Sequence, residues 1–529
     1  MANIILFTDN PPRDTGSEES PMVLNYQTRT AGAYAIASHL RRFGYSVLIV
    51  DHCISVTLNG VKKIINDNSA DLLWVGLSTT FFSFLGKGLE LYRHQWQNMP
   101  DLYFHNVAEV LSGVSTRYTQ KLGRDLIWGA TELNLIAKHC HDQYQIPLLV
   151  GGAWTSSMKD GNLSRLEKNI HIVYGRAELF VEEFTLALKN KKYNDLPLFV
   201  NNDQFDNVLF KQNTYLYVDQ DNITPDEWLP LEISRGCAFN CSFCNFDRRS
   251  SFDSYRDPKT IYKELLKNYD QFGVTKYILM DDLYNDSKEK VRNMYKEVWS
   301  KLPFDPEWTS YMRLDMIWYD PDSIKILQDS GAKMGSFGIE TLHPVAGKKV
   351  GKGLGKDRIL NTLEKLKTTW QDDVIRHGYF ITGLPDEPEA SILDTIAWTS
   401  TTDLMHSTLY TPLWITPPVH KELVLNQSNI SKGVDKFNIE WISDDNWINK
   451  QGVTFHRAKE LAELGTQGRK GIIGSFGDYP EYRQIGWSHQ EIVNFSRDAT
   501  RFLQEVKRTA SVRSEKILCK VKKRLNIDV

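Results

Sequence analysis

Leu231-Glu232-Ile233-Ser234-Arg235-Gly236-Cys237-Ala238-Phe239-Asn240-Cys241-Ser242-Phe243-Cys244 is the stretch on which the reading of this chain turns. A short apolar run, Leu231–Ser234, reads as a buried strand, and three cysteines follow it on one tight loop. Three thiolates so spaced can each take one iron of a 4Fe–4S cubane and leave the fourth iron without a protein ligand, whereas four cysteines would close the cluster. Gly236 permits the sharp turn into the loop, and Phe243, between the last two thiols, can shield a cluster edge from water. Zinc is the competing reading. It takes four ligands, usually in paired sets, and residues Asn245 to Tyr255 offer neither His nor Cys.

Working outward, a strand–helix alternation follows the loop. Strands are predicted at Leu231–Ser234, Lys276–Met280, Trp308–Met312, Met334–Gly338, Ile375–Thr382 and Thr408–Ile415, with helices at Pro258–Phe272, Lys288–Leu302, Pro321–Ser330 and Lys356–Thr369. About six β/α units predict a partial (β/α)6 barrel over 229–420, with its chemistry at the C-terminal strand ends. The first 190 residues alternate in the same way. Ile4–Thr8, Ser46–Val50, Leu72–Leu77, Pro147–Val150 and Ile170–Tyr174 are short apolar runs, and Thr30–Phe43 has helical spacing. That pattern predicts a doubly wound, Rossmann-like parallel sheet, interrupted by an insertion at about 82–124. The polar segment 191–228 reads as a linker with an irregular strand, and 421–529 as a mostly helical extension.

Composition sets wide bounds. The chain has 529 residues, a formal net charge of -3, 41% hydrophobic and 24% charged residues, enough for several domains. Near-neutral charge gives no electrostatic footprint for nucleic acid, and the basic stretch Lys507–Arg524 reads as a solvated helix face. No apolar run approaches the ~20 residues that span a bilayer. The polar start after Phe7 does not read as a signal peptide, so a cytoplasmic protein without a membrane partner is expected. Of six cysteines, Cys53, Cys140 and Cys519 are scattered and read as small buried side chains.

The cysteine loop, with an aromatic before its third Cys, resembles the signature of radical S-adenosylmethionine (radical SAM) enzymes, and the likeness continues to about Pro418. In that family the methionyl group of S-adenosylmethionine chelates the open iron. One electron then splits its C–S bond into methionine and a 5′-deoxyadenosyl radical. Met280-Asp281-Asp282-Leu283 stands where the family contacts the methionyl amine, with Asp-Asp in place of the usual glycine-rich motif. Arg313 stands where a basic residue meets the methionyl carboxylate. Phe337-Gly338-Ile339-Glu340-Thr341 resembles the fourth-strand ribose motif, which makes Glu340 a contact. Gly378-Tyr379-Phe380-Ile381-Thr382-Gly383-Leu384-Pro385 resembles the fifth-strand adenine motif, which nominates Ile381 and Gly383. Phe243 is implied as a further cofactor contact, and Thr416-Pro417-Pro418 occupies the place of a proline turn.

The first domain is similar to the cobalamin-binding modules found in one subgroup of that family. Ser78 and Thr80 follow its third strand, Gly151-Gly152 its fourth and Gly175 its fifth, all at carboxyl strand ends where such sheets bind ligands. The loop Thr8–Ala31 contains no histidine that could ligate cobalt from below, and Asp51-His52 follows the second strand instead. The resemblance implies three cofactors: a 4Fe–4S cluster, S-adenosylmethionine and cobalamin. The implied reaction is cobalamin-dependent methylation of an unactivated carbon or phosphorus in a small-molecule or peptide substrate. An electron donor such as flavodoxin or ferredoxin is implied too.

Three alternatives stay open. One is a radical rearrangement or oxidation without methylation, and another is a zinc or cluster scaffold. The third is a tRNA methylthiotransferase, whose relatives carry a second cysteine set that Cys53 and Cys140 do not provide. Trp414, Trp441 and Trp447 either line a substrate pocket or pack in the core.

Overall fold

The computed structural model describes residues 2–8, 28–51, 56, 58–78, 133–152, 166–191, 199–202, 207–244, 255–415, 428–443, 446–468, 478–484, 486–498, 501, 504 and 505. Thr80, the insertion 82–124, His52, Cys53, Thr416–Pro418, Cys519 and Lys507–Arg524 lie outside them.

Two parallel sheets dominate. The first is built from β1 (Ile4–Phe7), β2 (Val47–Val50), β3 (Trp74–Ser78), β4 (Leu148–Gly151), β5 (Ile170–Gly175) and β6 (Phe199–Asn202). Its order is β2-β1-β3-β4-β5-β6. Each apolar run predicted in the first 190 residues is one of its strands, displaced by a residue or two. Such runs are needed because a parallel sheet is covered on both faces. Ile5, Phe7, Val75 and Ile172 pack on one side with Val61 and Ile65, while Ile4, Leu6 and Trp74 pack on the other with Tyr34 and Phe184. The chain reverses direction across the sheet between β1 and β3, the switch point at which ligands bind in folds of this order.

The second sheet runs β7 (Trp228–Leu231), β8 (Lys276–Leu279), β9 (Glu307–Met312), β10 (Ala332–Glu340), β11 (Ile375–Thr382) and β12 (Ser407–Pro412), each paired in parallel with its sequence neighbours. The sheet is open, with β7 and β12 at its edges. Helix Pro258–Phe272 is the predicted span. Asp257 caps it by accepting from Lys259 N, proline opens it, and Gly273 ends it at φ +69°, the pairing of proline at the start and glycine past the end that helix termini favour. The helix-facing side is aromatic: Trp308 stacks on Trp299 and Phe337 on Trp370.

The segment expected to be a linker is instead the cement between the sheets. It contributes β6 and helix Asn207–Gln212, then docks through ion pairs. Arg29 grips Glu227 with two hydrogen bonds, at 2.7 and 2.9 Å, and also reaches Tyr34 Oη and the carbonyl of Asp221. Arg41 grips the Asp221 carboxylate with two more, both 2.8 Å. Composition alone reads these acidic residues as solvated, but their partners lie almost 200 positions away. Tyr215, Tyr217, Leu229 and Tyr34 then join one continuous core.

The C-terminal region departs from a mostly helical reading in a hairpin, β13 (Ile439–Ser443) with β14 (Asn446–Asn449). Helix Phe455–Gln467 lies on β11 and β12, and Thr382 Oγ1 donates to the carbonyl of Ala458 at 2.7 Å. Helices Asp478–Gln484 and His489–Phe495 sit at the amino ends of the strands. There Tyr479 meets Trp228 edge-on at 5.5 Å and Arg483 pairs with Glu307 at 3.1 Å. Among the described residues no helix is long and apolar enough to cross a membrane.

Arg29→Met strands the buried Glu227 carboxylate and is expected to lower unfolding stability by about 3–5 kcal/mol. The double variant Arg29→Met/Glu227→Met is expected to recover most of that loss in chemical denaturation. Equal instability of the single and double variants would show that the pair is not the source.

Candidate functional site

Strand β7 ends at Leu231, three residues short of the predicted end, because the next two useful amides go to a side chain. Asp281 Oδ1 accepts from Ile233 N at 2.7 Å and Ser234 N at 3.0 Å, and its Oδ2 accepts from Ser234 Oγ at 2.6 Å. Lys290, fully buried, donates to the same oxygen at 3.2 Å and lies 3.2 Å from Asp286. A buried carboxylate with this many donors is a structural anchor, since each donor offsets part of its desolvation. Asp281, expected at the cofactor, therefore aims the cysteine loop. Its neighbour Asp282 is half-buried and close enough to Cys237 to raise its pKa.

From that anchor the chain turns at Gly236, φ +75°, into the loop. Cys237, Cys241 and Cys244 are thiols outside any disulfide, all half-buried. Cys244 N donates to the carbonyl of Cys241 at 3.2 Å, and Phe239 N lies 3.5 Å from Cys237 Sγ. Burial pushes the Cys237 thiol up, opposed by that amide. Ser242 clamps the loop from outside. Its N donates to the carbonyl of Val350 and its hydroxyl to that of Lys349, both at 3.1 Å, while its own carbonyl accepts from Ile430 N at 2.9 Å. Gly351 at φ +83° lies so close that a Cβ would stand 3.4 Å from Cys241 Cα. Phe243 packs half-buried against the main core. Among the described residues no three His, Cys, Asp or Glu side chains converge on a single metal-ion position. A cubane instead takes each thiolate on a separate iron.

The structure brings Arg313 to this loop. Its Nη1 lies 3.0 Å from Cys241 Sγ, its guanidinium stacks on Phe239 at 4.0 Å, its Nε and Nη2 donate to Asp315, and Nη2 also donates to the carbonyl of Gly351. Burial alone would lower its pKa, but Asp315 and Cys241 outweigh that and hold it charged. Glu340 ends β10 at φ +68°, buried, with Lys352 Nζ 3.4 Å from its carboxylate. Burial raises its pKa against the pull of Lys352. A Cβ on Gly338 would strike Glu340 Oε1 at 2.4 Å, so that glycine exists to let the carboxylate fold back over the strand. Lys352, Asp315 and Gly351 were missed in the sequence. The run Gly351-Lys352-Gly353 was the one signal available.

Gly383, φ +80°, faces elsewhere. A Cβ there would meet Trp447 at 2.5 Å and Ala458 at 2.8 Å, so its glycine is demanded by the C-terminal cover. Ile381, near the end of the same strand, is half-buried and packs against the main core. Trp414 and Trp447 both pack edge-on against Phe455, and Trp441 pairs across the hairpin with Trp447. Packing accounts for all three.

In the first sheet Ser78 is half-buried at the end of β3, Gly151 and Gly152 close β4, and Gly175 closes β5, the last two at φ +112° and +87°. Glu178, just beyond, pairs with Arg235 at 2.5 Å. Burial would neutralise Glu178, but Arg235 outweighs it and keeps the carboxylate ionised. Arg235 immediately precedes Gly236 and Cys237, so the carboxyl edges of the two sheets meet at this contact.

Residues 231–399 match the Radical SAM superfamily. An anaerobic magnesium-protoporphyrin IX monomethyl ester cyclase of Cereibacter sphaeroides is 27% identical over 194 residues, 36% of this chain and 31% of that one. An uncharacterized methyltransferase of Pyrococcus horikoshii is 25% identical over 185 residues, 34% of this chain and 38% of that one. This chain thus spans only about a third of the length of these curated relatives. The radical S-adenosylmethionine methyltransferase TsrM of Kitasatospora setae, solved with tryptophan and an S-adenosylmethionine analogue, superposes with TM-score 0.54 at 12% identity. The match covers 82% of this chain and 76% of TsrM, and at that identity it establishes a shared fold.

Glu387, unremarked in the sequence, is buried beside Thr341, the residue after Glu340. Thr341 Oγ1 donates to its Oε1, and Oε2 has no partner among the described residues. Burial pushes its carboxyl up from 4.5 to about 8. Between those values the unfolded chain has lost the proton and the folded chain keeps it. Stability is therefore expected to fall as pH rises through that window, by at most ~1.4 kcal/mol per unit. In Glu387→Gln that part of the slope should vanish from denaturation curves; an unchanged slope would show that Glu387 is ionised when folded.

Proposed function

We infer that this chain, whose residues 231–399 form a radical SAM domain, cleaves S-adenosylmethionine reductively at a cluster on Cys237, Cys241 and Cys244 and uses the radical for cobalamin-dependent methylation. The observation that carries this reading is the Glu178–Arg235 contact, which sets the ligand-binding edge of the first sheet against the cysteine loop. A 4Fe–4S cluster, when bound, supplies the electron for C–S cleavage, and cobalamin supplies a carrier for the methyl group. The donor sets present fit both groups. Three thiols outside any disulfide stand on a loop fixed at both ends, and Gly151, Gly152 and Gly175 leave β4 and β5 without side chains over the strand ends. Ser78 is the hydroxyl available beside them.

The protein's own part is positioning and exclusion of water. Asp281 and Lys290 hold the loop in register. Asp282 stands beside Cys237 to receive the methionyl amine, and Arg313 beside Cys241 to neutralise the methionyl carboxylate. Glu340, steadied by Lys352, is placed for ribose hydroxyls, and Ile381 for the adenine face. Gly383 acts indirectly, by admitting Trp447. The substrate is a small molecule or peptide, and a flavodoxin or ferredoxin supplies electrons. The name of the Cereibacter relative favours a second reading, ring-forming oxidation without methyl transfer.

Anaerobically reconstituted protein is expected to hold four irons per chain and release 5′-deoxyadenosine with dithionite; Cys→Ala at 237, 241 and 244 together should abolish both. With methyl-labelled S-adenosylmethionine, label is expected in a product and cobalamin in the purified protein. Deoxyadenosine release without retained cobalamin or transferred label would leave the second reading standing. A colourless zinc protein would overturn both.

A further inference from the structure

The second sheet has a helix-facing side, which carries Trp308, Phe337 and Phe380, and an inner side made of the alternate residues. Because parallel neighbours in register point the same way, the pairings fix which inner residues share a level. Ser336 pairs with Tyr311 on one side and His377 on the other, and His377 pairs with Ser407. Tyr311, Ser336, His377 and Ser407 thus form one row across β9, β10, β11 and β12. Two residues nearer the carboxyl ends, Arg313 on the same chain as Tyr311 touches Cys241, so this row lies one level beneath the cysteine loop.

The row below is apolar apart from one hydroxyl. Pro230, Ile278, Thr309, Met334 and Ile375 are linked in register across β7 to β11. The polar row and Thr309 hold hydroxyls and an imidazole, and no carboxylate, ammonium or guanidinium. The charges on this face lie elsewhere: Glu307 is paired with Arg483 at the amino end, and Arg313 and Glu340 stand at the carboxyl end. Ser336 and Thr309 are fully buried, and neither Ser336 Oγ nor Thr309 Oγ1 has a hydrogen-bond partner among the described residues. A buried hydroxyl left in that state costs about 1–3 kcal/mol, which is tolerable where a ligand supplies the missing bond. His377 is also fully buried, with Nδ1 held 2.7 Å from Ser407 Oγ. The half-buried rings of Tyr311, in the row, and Tyr379, one level above it, stand 5.8 Å apart at 48°, and Tyr379 meets His377 edge-on at 4.6 Å.

We propose that this inner row is the substrate anchor, and that it takes an uncharged, planar, hydrogen-bonding group, an amide or nitrogen heterocycle, seated against the tilted Tyr311–Tyr379 pair and bonded to Ser336 and His377. The proposal rests on the radical being generated at the cysteine loop directly above, and it supplies that reading with a substrate class. An ionised group at this depth has no counter-charge and is excluded by desolvation.

The test uses the reconstituted full-length holoenzyme with its cluster oxidised, and two ring-matched probes, neutral nicotinamide and anionic benzoate, followed by saturation-transfer NMR titration. Nicotinamide is expected to bind and benzoate to bind at least tenfold more weakly. Ser336→Ala and His377→Gln should each weaken nicotinamide about tenfold, the loss of one hydrogen bond, while the thermal midpoint of Ser336→Ala is unchanged or raised. Absence of nicotinamide binding, equal benzoate affinity, or indifference to both substitutions would overturn the anchor. Deoxyadenosine release by the unsubstituted enzyme is scored separately. Its failure counts against radical generation and leaves the probe titration to judge the row.

Discussion

The Asp281 carboxylate is the point on which the site hangs. Two backbone amides and a hydroxyl from Ile233 and Ser234 converge on it, and the buried Lys290 balances its charge. Those bonds take over where β7 stops, so the chain leaves the sheet in a defined direction and turns at Gly236, φ +75°, into the loop. The cost of burying an acid and an amine is met by mutual attraction and by full use of the carboxylate's lone pairs. Everything at the cluster loop inherits its orientation from this arrangement, including the contact between Arg313 and Cys241.

A second constraint acts from the other side. Arg29, Arg41 and Arg235 each cross from one sheet's territory to the other and find a carboxylate there. Planar guanidinium forks are suited to this role because they fix angle as well as distance. The first sheet is consequently presented to the cysteine loop at a set angle rather than tethered near it, with Glu178, just past β5, held on Arg235 at the loop's entry.

Much of this was legible in the chain. Short apolar runs and the cysteine spacing announced both sheets and the thiol loop, because these depend on local pattern. What escaped were features fixed by long-range partners. The acidic residues of 213–227 read as a solvated tether until their arginines were located. Asp281 read as a cofactor contact because sequence cannot tell an inward carboxylate from an outward one. Gly383 read as part of an adenine contact, yet its missing side chain is required by Trp447, over sixty positions away. Glu387 carries no motif at all and Lys352 only its flanking glycines; burial of the one and the contact of the other with Glu340 make them notable.

The shared core has an evolutionary corollary. Tyr34 of the first sheet's helix, Tyr215 and Tyr217 of the connecting segment and Leu229 of β7 belong to one hydrophobic cluster. Modules joined by a flexible string can be shuffled between genes as cassettes. Here an exchanged first module would arrive without the complementary surface and the matching arginines, exposing apolar area that neither half can cover alone. The two halves are therefore bound to diverge together, and a change on one side of the seam selects for its answer on the other.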